Sequence, residues 1–202
     1  MELLLALEEK KKIENGIREK YAKVAASPEG LFKYPTGRAG LEALRYDPEI
    51  LKTLPESVMV SFCGVGNPFA LGPVDRGETV LDIGSGGGLD SLVAARKVGP
   101  GGKVVGLDLS PEMVSRAHEN LRLTDLSNVI FQEFSGEALP FEDGSFDVVI
   151  SNGVFNLIPG KGRMLQEACR VLKPGGRLLI ADQILTGTLT KSTPERIDSW
   201  FR

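Results

Sequence analysis

The stretch Thr79-Val-Leu-Asp-Ile-Gly-Ser-Gly-Gly-Gly-Leu-Asp90 holds the residues whose types and spacing are best suited to chemistry. Val80, Leu81 and Ile83 make a short apolar run, broken by one carboxylate at Asp82 and then by glycines at 84, 86, 87 and 88. Leu89, Leu92, Val93 and Arg96 follow at helical spacing. A strand that dissolves into glycines and resumes as a helix makes a ligand loop. The glycines let backbone approach a ligand, and the helix start presents N–H groups without partners. A phosphate-binding loop would need Gly-Lys-Ser/Thr after the glycines, and the chain has none. The dinucleotide pattern G-x-G-x-x-G, started at Gly84, would need glycine where Leu89 stands.

A carboxylate two places before the first glycine repels a pyrophosphate and suits a ligand carrying an ammonium group. S-adenosylmethionine has an α-amino group, a sulfonium and no phosphate. It is the cofactor these residues imply, with S-adenosylhomocysteine as its product form, and Asp82, Gly84, Ser85 and Gly86 are the first expected contacts. Asp108, with Leu109 after it, stands about 20 residues beyond the glycines, where a strand-end carboxylate accepts from both ribose hydroxyls. Nicotinamide cofactors use the same contact, so it supports an adenosine without choosing among them. Met113 either covers an adenine face or fills core. In Ser135-Gly-Glu-Ala-Leu-Pro-Phe141, Glu137 or the backbone of Ala138 is placed to read the adenine edge.

Methyl transfer from such a donor is a direct displacement and calls for alignment and exclusion of water, not for a metal or a covalent intermediate. No metal site is expected. The catalytic candidates on the loops are Cys63, Asn152 and Asn156. Cys63 reads equally as an acceptor-binding thiolate or a small apolar filler. His118, the one histidine, falls mid-helix and is expected to pack or face solvent. Cys169 shares a helical face with Leu165 and Leu172 and is expected in the core.

These side chains need a frame. From Thr79 onward apolar runs alternate with helical patterns: strands at 79–83, 103–107, 128–132, 146–151 and 177–181, with a helix capped by Ser110 and Pro111 and another at about 161–172 ended by Lys173-Pro-Gly-Gly176. Repeated β-α-β order implies an α/β, doubly wound, mainly parallel sheet with ligands at the carboxyl ends of its strands. Residues 1–25 read as an amphipathic packing helix with Ile13, Ile17, Tyr21 and Val24 on one face. Residues 26–78, rich in Pro and Gly with short helical pieces such as Pro48–Leu54, are long for a linker and are expected to cover something. The division is a helical cap, 1–78, and a cofactor-binding domain, 79–202.

The composition fits this reading. With 42% hydrophobic and 25% charged residues, 202 residues can bury a sizeable core. A net charge of −3 gives no electrostatic ground for nucleic acid or an anionic membrane as partner. Two isolated cysteines make no disulfide framework and point to a reducing compartment. The apolar start is five residues long and precedes its lysines, unlike a signal peptide, and no run approaches the ~20 residues of a membrane span. A cytoplasmic location is expected.

The sequence resembles class I S-adenosylmethionine-dependent methyltransferases. The matching pieces are Val80-Leu-Asp-Ile-Gly-Ser-Gly-Gly-Gly88, Val105-Gly-Leu-Asp108, Gly136-Glu-Ala-Leu-Pro140, Phe146-Asp-Val-Val-Ile-Ser-Asn152 and Arg170-Val-Leu-Lys-Pro-Gly-Gly-Arg177. The resemblance implies a Rossmann-like sheet and a pocket lined by Asp82, Gly84, Gly86, Asp108, Glu137 and Asn152. A narrower likeness, to arsenite methyltransferases, rests on Phe62-Cys-Gly-Val-Gly-Asn-Pro68, Ser151-Asn-Gly-Val-Phe-Asn-Leu157 and the stretch from Tyr46 to Pro55. It implies that 62–68 reaches over the cofactor near the methyl group.

Two departures limit the likeness. Of the cysteines that hold trivalent arsenic in that group, Cys63 matches one, Gly153 stands at a second, and a third falls beyond Arg202. The arsenic activity is therefore not carried over. The family's sheet also has two more strands than the five counted here. A short or truncated chain is expected, whose fifth-strand edge at 178–181 needs cover from the tail 185–202 or from a second subunit. The function expected is methyl transfer to a small-molecule acceptor, of metalloid or thiol type among the options. The alternatives are a non-catalytic or truncated cofactor-binding domain and, disfavoured by Leu89 and Asp82, a nicotinamide-dependent oxidoreductase.

Overall fold

The computed structural model describes residues 7–184 and 186. Five strands, β1 (Thr79–Ile83), β2 (Lys103–Asp108), β3 (Val129–Glu133), β4 (Phe146–Asn152) and β5 (Leu172–Ala181), form one sheet in the order β3-β2-β1-β4-β5. Every neighbouring pair is parallel. The chain winds outward from β1 through β2 to β3, then returns to place β4 on the other side of β1. That reversal opens a crevice at the carboxyl ends of β1 and β4, the usual ligand position in such a sheet.

The strands at the centre are apolar because helices cover both faces. On one face α5 (Leu89–Val98) and α6 (Pro111–Arg122) bury Leu92, Val93 and Ala117 against Val80, Val148 and Ile150. Three short helices of the N-terminal segment, α2 (Gly37–Ala43), α3 (Pro48–Leu51) and α4 (Glu56–Val60), add Leu41, Leu51, Val58 and Met59 to that same core. On the other face α7 (Lys161–Val171) packs Met164, Ala168 and Val171 on Leu81, Ile83 and Val149. Ser110 caps α6 by accepting from Met113 N at 3.3 Å, with Pro111 in the first turn, as its sequence position predicts.

Three expectations are corrected. Cys169 is exposed, not in the core, and Leu165 is exposed with it. The buried face of α7 is turned by one residue and includes Glu167, whose charge disguises it in the sequence. Glu167 is tolerated there because Leu139 N donates to it at 2.8 Å and Arg170 pairs with it at 2.7 Å. The strand expected at 177–181 begins earlier, the chain passing from α7 straight into β5 at Leu172, and α3 ends at Leu51 instead of Leu54. Among the described residues β5 is an edge of the sheet. The tail expected to cover it, from 185 on, lies outside the described residues apart from Thr186.

The amphipathic N-terminal pattern is α1 (Leu7–Ala26), which buries Ile13, Ile17 and Val24. It does not pack on the sheet face. Ile13 and Ile17 meet Tyr21, Leu109 and Leu157 above the carboxyl ends of the strands. Ion pairs from Lys10 to Glu137 (2.9 Å) and from Arg18 to Glu133 (3.1 Å) fasten the helix to the end of β3 and the loop beyond it.

Candidate functional site

A cavity of about 160 Å³ lies in the crevice under α1. Its floor is the glycine loop. Gly84 N and Ser85 N both donate to Leu107 O, at 2.7 and 2.8 Å, which folds the chain after β1 back onto β2. Gly84 and Gly86 adopt φ of +78° and +52°, open to glycine at little cost. Both residues line the cavity; a Cβ on Gly84 would run into the Val154 side chain, whereas one on Gly86 would meet no atom of the described residues within 4 Å and would point into open space.

Asp108 closes one end. Its Oδ2 accepts from Gly86 N at 2.8 Å and its Oδ1 from Ser110 N at 2.9 Å. Both oxygens are oriented by backbone, and the lone pairs left over are available to a ligand. Burial pushes the Asp108 carboxyl above its usual value, opposed by the backbone N–H groups of Ser110, Gly86 and Leu109. Two donor-oriented oxygens beside an open glycine turn fit a vicinal diol, so the residues present fit the ribose of an adenosyl cofactor.

The strap Phe62–Pro68 reaches the cavity at a single residue. Cys63 lines the cavity, and Tyr34 Oη donates to its carbonyl at 3.0 Å. Burial, then the nearby Asp108 charge, push the Cys63 thiol up to about 12, so it stands as a neutral thiol at neutral pH and not as the thiolate that one reading of the sequence allowed. To the same cavity α1 contributes Glu14, Ile17 and Tyr21. Burial raises the Tyr21 hydroxyl well above its ordinary value, with Cys63 the next cause. The remaining walls are mainly apolar and include Phe134, Val154, Leu157, Ile158 and Met164.

Of the residues singled out in the sequence, the structure gathers Cys63, Gly84, Gly86, Asp108, Leu109 and Asn152 around the cavity. Asp82, Ser85, Met113, Glu137, Ala138 and Asn156 are outside its lining. Asp82 is buried on β1 and accepts from Ser91 Oγ at 2.6 Å; burial and then Asp90 raise its carboxyl well above the carboxylate range. Ser85 Oγ is buried with no hydrogen-bond partner among the described residues, and so is Asn156 Oδ1. Met113 is fully buried, while Glu137 and Ala138 are exposed, Glu137 held by Lys10. Asn156 N donates to Asp182 Oδ2 at 2.9 Å. His118 is exposed and packs edge-on against Phe131. Tyr21 and Ile17 were missed as site residues. Their spacing marks a buried helix face, but nothing in that spacing says what the face covers.

A doubly wound parallel sheet with a glycine turn and a strand-end carboxylate at its switch point defines a Rossmann-like, nucleoside-binding type of fold. The chain belongs to the methyltransferase domain family, whose model matches residues 74–202. It is 40% identical over 184 residues to the arsenite methyltransferase of Halobacterium salinarum, covering 84% of this chain and 47% of that protein. It is 42% identical over 111 residues to the ubiquinone/menaquinone biosynthesis C-methyltransferase UbiE of Escherichia coli, covering 54% of this chain and 44% of that one. Among solved structures it is similar to an arsenic(III) S-adenosylmethionine methyltransferase from Chlamydomonas reinhardtii. There the TM-score is 0.56 at 37% identity, over 74% of this chain and 50% of that chain. The chain thus spans less than half the length of these curated relatives. No helix among the described residues is long and apolar enough to cross a membrane.

Proposed function

We propose that this chain binds S-adenosylmethionine in the cavity under α1 and directs methyl transfer to a small-molecule acceptor lodged between α1 and the 63–66 strap. The observation that carries the reading is Asp108, oriented by Gly86 N and Ser110 N with acceptor capacity left toward the cavity, which fits an adenosyl ribose; the match to the methyltransferase domain family supports the sulfonium cofactor over a nicotinamide. The cofactor, when bound, supplies an electrophilic methyl group on sulfur. Asp108 would hold the ribose, and the open turn at Gly84–Gly86 would receive the amino-acid portion. Apolar walls and α1 exclude water, and positioning of this kind supplies roughly 7–11 kcal/mol toward a displacement.

On the acceptor side stand Tyr21, Ile17 and the neutral Cys63 thiol. This wall suits a small acceptor of low charge. It offers one cysteine where a multi-thiolate arsenic site would need more. Gly153, at φ +73°, donates its N–H to Ala181 O at 2.8 Å and brings no thiol. We further propose a cytoplasmic location and, where the tail does not cover β5, a homodimer across that edge. Radiolabelled methyl transfer to a panel of small acceptors, arsenite with thiol included, tests the activity. Incorporation into at least one low-charge acceptor is expected, and binding of the cofactor without transfer to any would favour a non-catalytic domain.

A further inference from the structure

Asn152 lines the cavity, yet its carboxamide is fully occupied by protein. Oδ1 accepts from Val65 N at 2.9 Å and from Gly66 N at 3.0 Å, which uses both lone pairs of an amide oxygen. Nδ2 lies 2.8 Å from Gly66 O, 3.0 Å from Asp90 Oδ2 and 3.1 Å from Tyr46 Oη, three acceptors for two protons. Tyr46 Oη in turn donates to Asp90 Oδ1 at 2.7 Å. Tyr46 and Asp90 are both buried. Groups from the end of β4, the first turn of α5, the α2–α3 connection and the strap thus converge on one point.

The strap is shaped to be gripped there. A Cβ on Gly64 would collide with Asn152 Nδ2 and the Phe62 ring, and one on Gly66 would lie 2.6 Å from Ala181 Cβ. The Tyr46 ring meets Phe62 edge-on at 5.4 Å and Phe69 at 6.1 Å, the aromatic residues that flank the gripped segment 63–66. Burial raises the Asp90 carboxyl above its ordinary value, and the bonds from Asn152 and Tyr46 oppose the shift, so those two donors keep the charge tolerable.

We propose that Asn152, Asp90 and Tyr46 form a clamp that fixes the 63–66 strap, and through it Cys63, against the cavity. Asn152 is then a positioning residue, not a ligand-binding one. An amide with no spare donor or acceptor presents only its surface to a ligand. Tyr46 takes part although it does not line the cavity.

The two cysteines make the test internal. N-ethylmaleimide is reacted with the full chain and modification at each cysteine is followed by mass spectrometry. Exposed Cys169 serves as the reference, and the thermal melt is recorded for each variant. In the wild type, Cys63 reacts more slowly than Cys169. In Asn152→Ala, Cys63 reacts about tenfold faster or more relative to Cys169, and in Tyr46→Phe it accelerates by about three- to tenfold, both with a cooperative melt retained. If Asn152→Ala does not fold, Tyr46→Phe decides alone, because it removes a single hydroxyl. A Cys63 rate within about twofold of wild type in the folded variants overturns the clamp. So does loss of S-adenosylhomocysteine binding in Asn152→Ala with the Cys63 rate unchanged, which would make Asn152 a ligand contact. The thiol readout needs no cofactor, so failure of the methyl-transfer reading leaves this test standing.

Discussion

Asp108 Oδ2 accepts a hydrogen bond from Gly86 N at 2.8 Å, tying the end of β2 to the turn that follows β1. The two halves of the expected cofactor site, the glycine turn and the ribose carboxylate, are therefore one hydrogen-bonded unit. Ser110 N holds the other oxygen, so the start of α6 belongs to the same unit. Replacing Asp108 by Ala removes an oriented charged acceptor. S-adenosylhomocysteine binding should weaken by about 1.5–3 kcal/mol in isothermal titration, the scale for a charged hydrogen-bond partner. Unchanged affinity would place the ribose elsewhere.

Gly84 carries two constraints, a positive φ of +78° and the side chain of Val154 where a Cβ would go. Gly84→Ala should lower stability in urea by at least about 1–2 kcal/mol, from left-handed backbone strain alone. Gly86→Ala bears a φ of +52° but meets no neighbour, so it should cost less stability and reduce cofactor affinity more. Equal losses of stability in the two variants would contradict the placement of Gly86 toward the cavity.

Glu167 secures the loop that follows β3. It accepts from Leu139 N, while Arg170 donates to it and to the carbonyls of Leu139 and Phe141. The Arg170 side chain holds the Glu167 carboxyl down at about 2, below its ordinary 4.5. A carboxyl whose folded value is depressed stabilises fully above the unfolded value and loses that contribution as pH falls through the folded one. Acid unfolding should therefore draw on this group between about 4.5 and 2, and Glu167→Gln should flatten the stability profile in that window. A parallel profile would show that the group does not matter to acid stability.

The ion pairs that fasten α1, Lys10–Glu137 and Arg18–Glu133, are largely exposed. Exposed pairs contribute roughly 0–1 kcal/mol each and are screened by salt. Arg18→Glu should leave the melting temperature within a few degrees while hydrogen exchange of the α1 amides speeds up. Exchange as slow as in the wild type would mean that Ile13 and Ile17 alone hold the helix over the site.

Much of this was legible in the sequence, and for physical reasons. The strands at 79, 103, 129 and 146 declare themselves as apolar runs because both faces of the sheet are covered, and Ser110-Pro111 announces its helix by capping chemistry. Asp108 is legible because its place at a strand end fixes its surroundings. Asp82 is not: the alternation of β1 carries it to the face under α5, where Ser91 takes it, and the sequence does not say that a loop-adjacent acid will be buried. Cys169 misled because Glu167, a charged residue on the buried face, hides the true stripe of α7. The covering role of α1 and the convergence of Tyr46, Asp90 and Asn152 depend on contacts between distant segments, for which no local spacing gives a sign.

The most direct measurement of the central claim is isothermal titration of the chain with S-adenosylhomocysteine and, separately, with NAD. Saturable one-to-one binding of S-adenosylhomocysteine, weakened in Asp108→Ala, with no heat from NAD, is the result expected. Binding of NAD with none of the adenosyl amino acid would contradict the account.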